Sequence, residues 1–220
     1  MKRINSSTLS CIFVGVAVVF MADCELYAQA VRVQPNVPAQ QKVAQDVIRV
    51  RKVTDLSREY QSRTPIYVTG SRSAKEKIWG VFDVTFDVQG DWIDNLTVEF
   101  SVLLYNQNVK QGEKQMSLYK VTSVYSDIMG GRERKVGVVL SPAALLRYGV
   151  PIGFAAQFTS GGQTIAVASS AEGHVKGVEN WWENPKVIDS PNVARRSGHL
   201  QERSKSVFAL SDIDSYEVEQ

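Results

Sequence analysis

The chain has 220 residues, with 25 Lys and Arg against 23 Asp and Glu and a formal net charge of +2. That balance is too weak for a general binder of nucleic acid or other polyanions. With 44% hydrophobic and 22% charged residues the composition is that of one globular domain or two small ones, and having only two Cys and two His thins the enzymatic possibilities.

Residues 1–30 read as a signal peptide. Lys2 and Arg3 supply the positive start, and an apolar run over residues 9–22 follows, short of the roughly 20 residues that span a bilayer. Ala28-Gln29-Ala30 then offers a cleavage site. Cleavage removes Cys11 and Cys24, so thiol chemistry, disulfides and cysteine metal ligands go together. No second apolar stretch of spanning length follows, so no membrane span is expected after cleavage.

Residues 31–44 read as an extended lead-in and 45–170 as a β-sandwich core. Residues 47–53 fit a strand, while Val43, Val47, Val50 and Leu56 also fit a helical stripe; the strand is preferred because residues 64–68, around Pro65, offer a second extended piece. Phe82, Val84, Phe86 and Val88 then alternate with polar residues. After Gln89-Gly90-Asp91 the alternation resumes at Leu96, Val98, Phe100, Val102 and Leu104. Period two with one apolar face predicts a half-buried antiparallel hairpin. Further strands are expected at 115–125, 134–140, 152–158 and 164–169, with hairpin turns at Gly130-Gly131 and Gly161-Gly162.

Ser141, Pro142 and Gly149 have the chemistry of an N-cap, a first helical position and a stop, which predicts one short helix near residues 142–148. Seven or eight short strands with one helix predict an all-β, immunoglobulin-like sandwich. Residues 171–206 show no sustained period and form a long irregular segment. The tail, 207–220, recovers apolar character at Phe208 and Leu210 as a C-terminal strand or free end.

Charge is segregated along the chain. Residues 42–77 carry a net of +5, and residues 78–106 carry Asp83, Asp87, Asp91, Asp94 and Glu99 with no base. The acidic face either pairs with a basic strand of the same fold or, with the basic block, forms complementary patches between copies. A calcium site is disfavoured, because Asp83 and Asp87 lie about 13 Å apart by strand rise.

No G-x-S-x-G, H-E-x-x-H or P-loop motif is present, so no catalytic, cofactor-binding or metal-ligating residue is nominated. His174 and His199 read as solvated. Trp79 and Trp92 read as structural. Trp181-Trp182 in the long segment either cap the core or form a platform for a host glycan or peptide, which is the alternative function.

Thr64-Pro65, the Trp79…Phe86 strand, the run from Asp91 to Val98, Ser141-Pro142, Trp181-Trp182 and Phe208-Ala209-Leu210…Tyr216 occur in series. In this order the chain resembles the secreted pilus-like proteins of verrucomicrobial pilus gene clusters, of the Akkermansia type. The resemblance implies an immunoglobulin-like fold, no catalytic residues, and a place in the periplasm, at the outer membrane or on the surface of a Gram-negative cell. Its expected partners are pilus or envelope proteins or further copies of itself, with no nucleic acid. Assembly is expected through protein contacts, with an open sheet edge as acceptor and residues 31–41 or 206–218 as strand donors. Asp83, Asp87, Asp91, Asp94, Trp181, Trp182, Phe208 and Leu210 are the candidate interaction residues.

Overall fold

The structure is a computed structural model, and it describes residues 47–69, 77–211 and 217. The expected signal peptide, both cysteines, the lead-in 31–44 and tail residues 212–216 and 218–220 lie outside the described residues. In chain order the elements are β1 (Ile48–Val53), β2 (Gln61–Arg63), the helical turn α1 (Ile66–Thr69), β3 (Ile78–Tyr105), β4 (Met116–Leu140), α2 (Pro142–Tyr148), β5 (Val150–Ser160), β6 (Gln163–Ala171), the helical turn α3 (Pro185–Ile188), β7 (Val193–Arg196) and β8 (Leu200–Glu202).

Two very long strands organise the molecule. β3 has 28 residues and β4 has 25, and they pair antiparallel from Gly80↔Leu140 at one end to Tyr105↔Met116 at the other. The two alternating runs read as a hairpin are therefore consecutive halves of one strand. Gly130-Gly131, read as a turn, lies within β4. The register shows what happens instead: Val88 faces Gly131 and Trp92 faces Met129, so Gln89, Gly90 and Asp91 stand opposite Gly130 alone. Next to this, Phe86 faces Arg134 and Val88 faces Gly131, leaving two residues of β4 opposite Asp87. Paired bulges of this kind bend and twist a ladder sharply.

The bend folds one sheet into a sandwich. The N-terminal half of β3 carries β1 and β2 on its free side, and the C-terminal half carries β5, which in turn pairs with β6. Ring contacts link the halves face to face: Phe82 lies 5.3 Å from Phe154 and Phe86 lies 5.3 Å from Phe158, between centroids. β1 packs near β6. The all-β sandwich expected from the alternation is the observed architecture. The alternating residues Phe82, Val84, Phe86, Leu96, Val98, Phe100, Val102 and Leu104 all lie in its core.

Locally, several expectations hold. Ser141 caps α2 by accepting from the Ala144 amide, Pro142 opens the helix and Gly149 closes it at φ 89°. β1 is a strand, and Gly161-Gly162 makes the β5–β6 turn with both φ positive. Residues 66–69 form a helical turn, not a strand: Pro65 fits the start of a helix, and its carbonyl accepts from the Val68 amide.

The segment 171–206 is mostly turns but contains β7 and β8, which join the free side of β4 at Met116–Tyr119 and Val138–Leu140. It does more than connect. Leu103, Leu118, Ile152 and Ala155 point away from the main core, and Val175, Trp181, Trp182 and Val193 cover them in a second apolar layer. On the other half-sheet Val81 and Val139 are covered by Phe208. The C-terminal quarter of the chain thus covers an apolar patch on the outer face of each half.

Candidate functional site

The four candidate aspartates do not form a common site. Asp87 is buried in the bend, where Arg51 of β1 pairs with it through Nη2 and donates from Nε to its carboxylate at 2.6 Å. Its other oxygen accepts from the Glu133 amide at 3.2 Å, on a residue held at φ 60°. Asp87 therefore ties β1 to the β4 bulge, and the basic and acidic blocks meet here within one fold. Glu99 of the acidic block pairs instead with Lys120 of β4, outside the basic block, at 2.5 Å. Asp83 lies on β3 opposite Gly137, where a side chain on the glycine would put its Cβ 2.1 Å from the carboxylate. Asp91 and Asp94 are exposed.

The hydrogen bond from Arg51 holds the Asp87 carboxyl below the usual carboxylate range, with the Glu133 amide adding to the effect. A depressed folded-state pKa gives stability that is complete above the ordinary carboxylate value. That stability is lost as pH falls through the lower folded value. Urea midpoints measured from pH 6 down to about pH 2 should fall less steeply in Asp87→Asn than in the native chain. Equal slopes would show that Asp87 is not an acid-sensitive tie. Glu217 has the opposite sign: burial raises its pKa despite Arg134 at 3.2 Å, so its ionisation costs stability as pH rises through that value.

Trp181 and Trp182 are 1% and 4% exposed, with their rings perpendicular at 5.9 Å between centroids. Trp181 lies directly on the backbone of Gly153, where an added Cβ would approach its ring to 2.7 Å. The platform reading is thereby corrected: these rings are the centre of the second layer and present no face to a ligand. Phe208 is likewise buried, edge-on to Trp79 at 6.0 Å, whereas Leu210 is exposed. Residues 206–211 form turns, and the Glu217 amide donates to the Lys135 carbonyl, so the described part of this proposed donor packs on its own domain. His199 is not solvated as expected: its Nδ1 lies 2.9 Å from the Ser141 hydroxyl, and its ring packs against Tyr119 and Tyr148. His174 is exposed, with its ring 4.5 Å from that of Tyr105.

What the alternation did not disclose is the uneven cover on β4. β7 pairs with β4 only as far as Tyr119 and β8 only over Val138–Leu140, with Glu217 bonded at Lys135. Between these, residues 120–134 have no strand on their free side among the described residues. Backbone at Asp127 (φ 55°) and Glu133 (φ 60°) interrupts the strand, leaving 120–126 as its regular part. Beside this edge stand exposed apolar residues. Trp92 is 59% exposed and faces Met129, 50% exposed, directly across β3 and β4; Val124 is 42% exposed. Trp92, expected to be structural, is the most exposed aromatic ring described. Its sequence signal was its place beside the bulge glycine, which takes it out of the buried alternation.

A family model matches residues 40–220. The chain belongs to that family. A crystal structure of a protein from Akkermansia muciniphila matches with a TM-score of 0.61 at 21% identity, over 79% of this chain and 92% of that one. At this identity the likeness is one of fold, and it agrees with the folded-sheet sandwich. No curated protein matches the chain. Among the described residues no helix is long and apolar enough to cross a membrane, and no group of three or more His, Cys, Asp and Glu is arranged to hold a metal.

Proposed function

We propose that this is an exported, non-enzymatic protein of the Gram-negative envelope that accompanies a pilus and acts through protein contacts. Its family membership and the signal-like N-terminus support the setting. The observation that carries the mode of action is the β4 edge at residues 120–124, which has no strand on its free side among the described residues and lies near Trp92 and Met129. An unpaired edge offers a row of backbone donors and acceptors to an added strand. An exposed Trp supplies the apolar anchor that such contacts concentrate on. The occupant is an extended segment of a pilus or envelope protein.

Trp92→Ala and Val124→Lys test this. Both residues are exposed, so each variant should keep its thermal midpoint, within about 0.5 kcal/mol of native stability. Co-purification with the sheared pilus fraction should fall about tenfold or more in each, since a central aromatic anchor contributes 2 kcal/mol or more. Native-level co-purification of both variants would overturn the edge as the contact.

A further inference from the structure

A small polar cavity lies at the end of the sandwich where α2, the start of β4 and β7 meet. Its volume is about 140 Å³, and its charged lining is Arg147, Arg196 and Lys114 against the single carboxylate of Glu113. That volume is well below the 300–1,000 Å³ of a site for a whole small organic molecule. It is room for one group.

The two arginines are held by the same ring. The guanidinium carbon of Arg196 lies 4.0 Å from the Tyr148 centroid, and that of Arg147 lies 5.3 Å from it. Arg196 is fixed further by its Nε, which donates to the buried Ser117 hydroxyl at 2.8 Å. Its terminal nitrogens, and those of Arg147, have no carboxylate partner among the described residues. Lys114 is anchored through Nζ to the Val193 carbonyl at 3.0 Å. Behind them the phenol of Tyr119 is buried without a hydrogen-bond partner; burial pushes its pKa up to about 12, so it adds no negative charge.

By contrast, the adjacent Arg195 is already neutralised by Asp189 at 2.6 Å. Like charges held close around a partly enclosed cavity repel one another, and the repulsion is relieved when an anion enters. A guanidinium oriented by stacking and by one fixed hydrogen bond keeps the rest of its planar fork for an oxyanion. We propose that this cavity binds a single oxyanion group: a carboxylate, phosphate or sulfate borne on a larger molecule. This assignment does not depend on the role of the β4 edge, which lies elsewhere on β4.

The test is a thermal-midpoint titration of the purified protein with sulfate, phosphate and acetate at matched ionic strength, against chloride. A specific site raises the midpoint along a saturating curve. Salt exclusion from the surface raises it without saturation, so the two are separable. We expect saturation by at least one anion, and the anion that saturates at the lowest concentration names the group. Arg147→Gln and Arg196→Gln should each weaken the apparent affinity about tenfold, as expected for one lost charge-assisted hydrogen bond. Arg195→Gln should leave it unchanged. Arg147 is exposed, so its variant keeps the test valid if Arg196→Gln folds poorly. Absence of saturation with all three anions, or affinities unchanged in the Arg147 variant, would overturn the site.

Discussion

Trp181→Ala should lower the unfolding free energy by about 3–5 kcal/mol, the range for deleting a buried aromatic. Trp181 is among the largest fully buried side chains, and Leu103, Leu118, Ile152 and Ala155 beneath it depend on the second layer for their cover. The unpaired indole N–H offsets part of the loss, because its removal ends an unmet desolvation cost. Trp181→Phe removes that N–H while keeping most of the ring, so it should cost much less than Trp181→Ala. The second layer is a separate apolar cluster, so the damage should be local first. Hydrogen exchange should quicken across residues 171–193 of the Ala variant before it does in β3. A change below 1 kcal/mol with uniform exchange would mean that the pair is not a core.

The same tryptophans show where the sequence was legible and where it was not. Period two marked which residues of β3 face the main core, and those residues are the ones buried there. It could not say that the opposite face was covered as well. The available signal was a failure of alternation: Phe100 to Leu104, Val136 to Leu140 and Ile152 to Ala156 are runs in which successive side chains are buried. Such runs mark strands covered on both faces, and something must then cover the second face. The long segment with its Trp pair is that cover.

Connectivity was lost for a different reason. A glycine pair reads the same whether the chain reverses there or crosses another strand closely. At Gly161-Gly162 the first applies, with positive φ at both residues and open space around them. At Gly130 the second applies. The helix α2 was legible to the residue because its signals are local: a hydroxyl cap, a proline and a glycine stop. The charge blocks were legible as blocks, but only the register brings Asp87 to Arg51 and to the bulge, and thereby removes it from any surface site. Trp92 and the β4 edge depend on where β7 and β8 stop, which no local pattern encodes.

Gly130→Ala tests the bend on which the architecture rests. A Cβ at this position would stand 1.8 Å from the Gly90 carbonyl oxygen, 2.9 Å from the Gly90 carbonyl carbon and 3.0 Å from the Asp91 oxygen. All three are backbone atoms, so no side-chain rotation relieves the clash and one of the two strands must move. The movement falls where β3 carries its bulge and where Phe86 meets Phe158 across the sandwich. The expected loss is about 3 kcal/mol or more, at the upper end of overpacking costs. Gly90→Ala provides the contrast, since its Cβ would meet nothing within 4 Å and only its φ of 101° is unfavourable. A strained backbone of that kind costs about 1–3 kcal/mol. The pair therefore separates steric closure of the bend from conformational preference within it. Urea unfolding should rank the losses Gly130→Ala above Gly90→Ala, with weakened near-ultraviolet aromatic signal in the former. The reverse order would mean that β3 and β4 do not approach this closely, and that the sandwich is closed by something other than a single bent ladder.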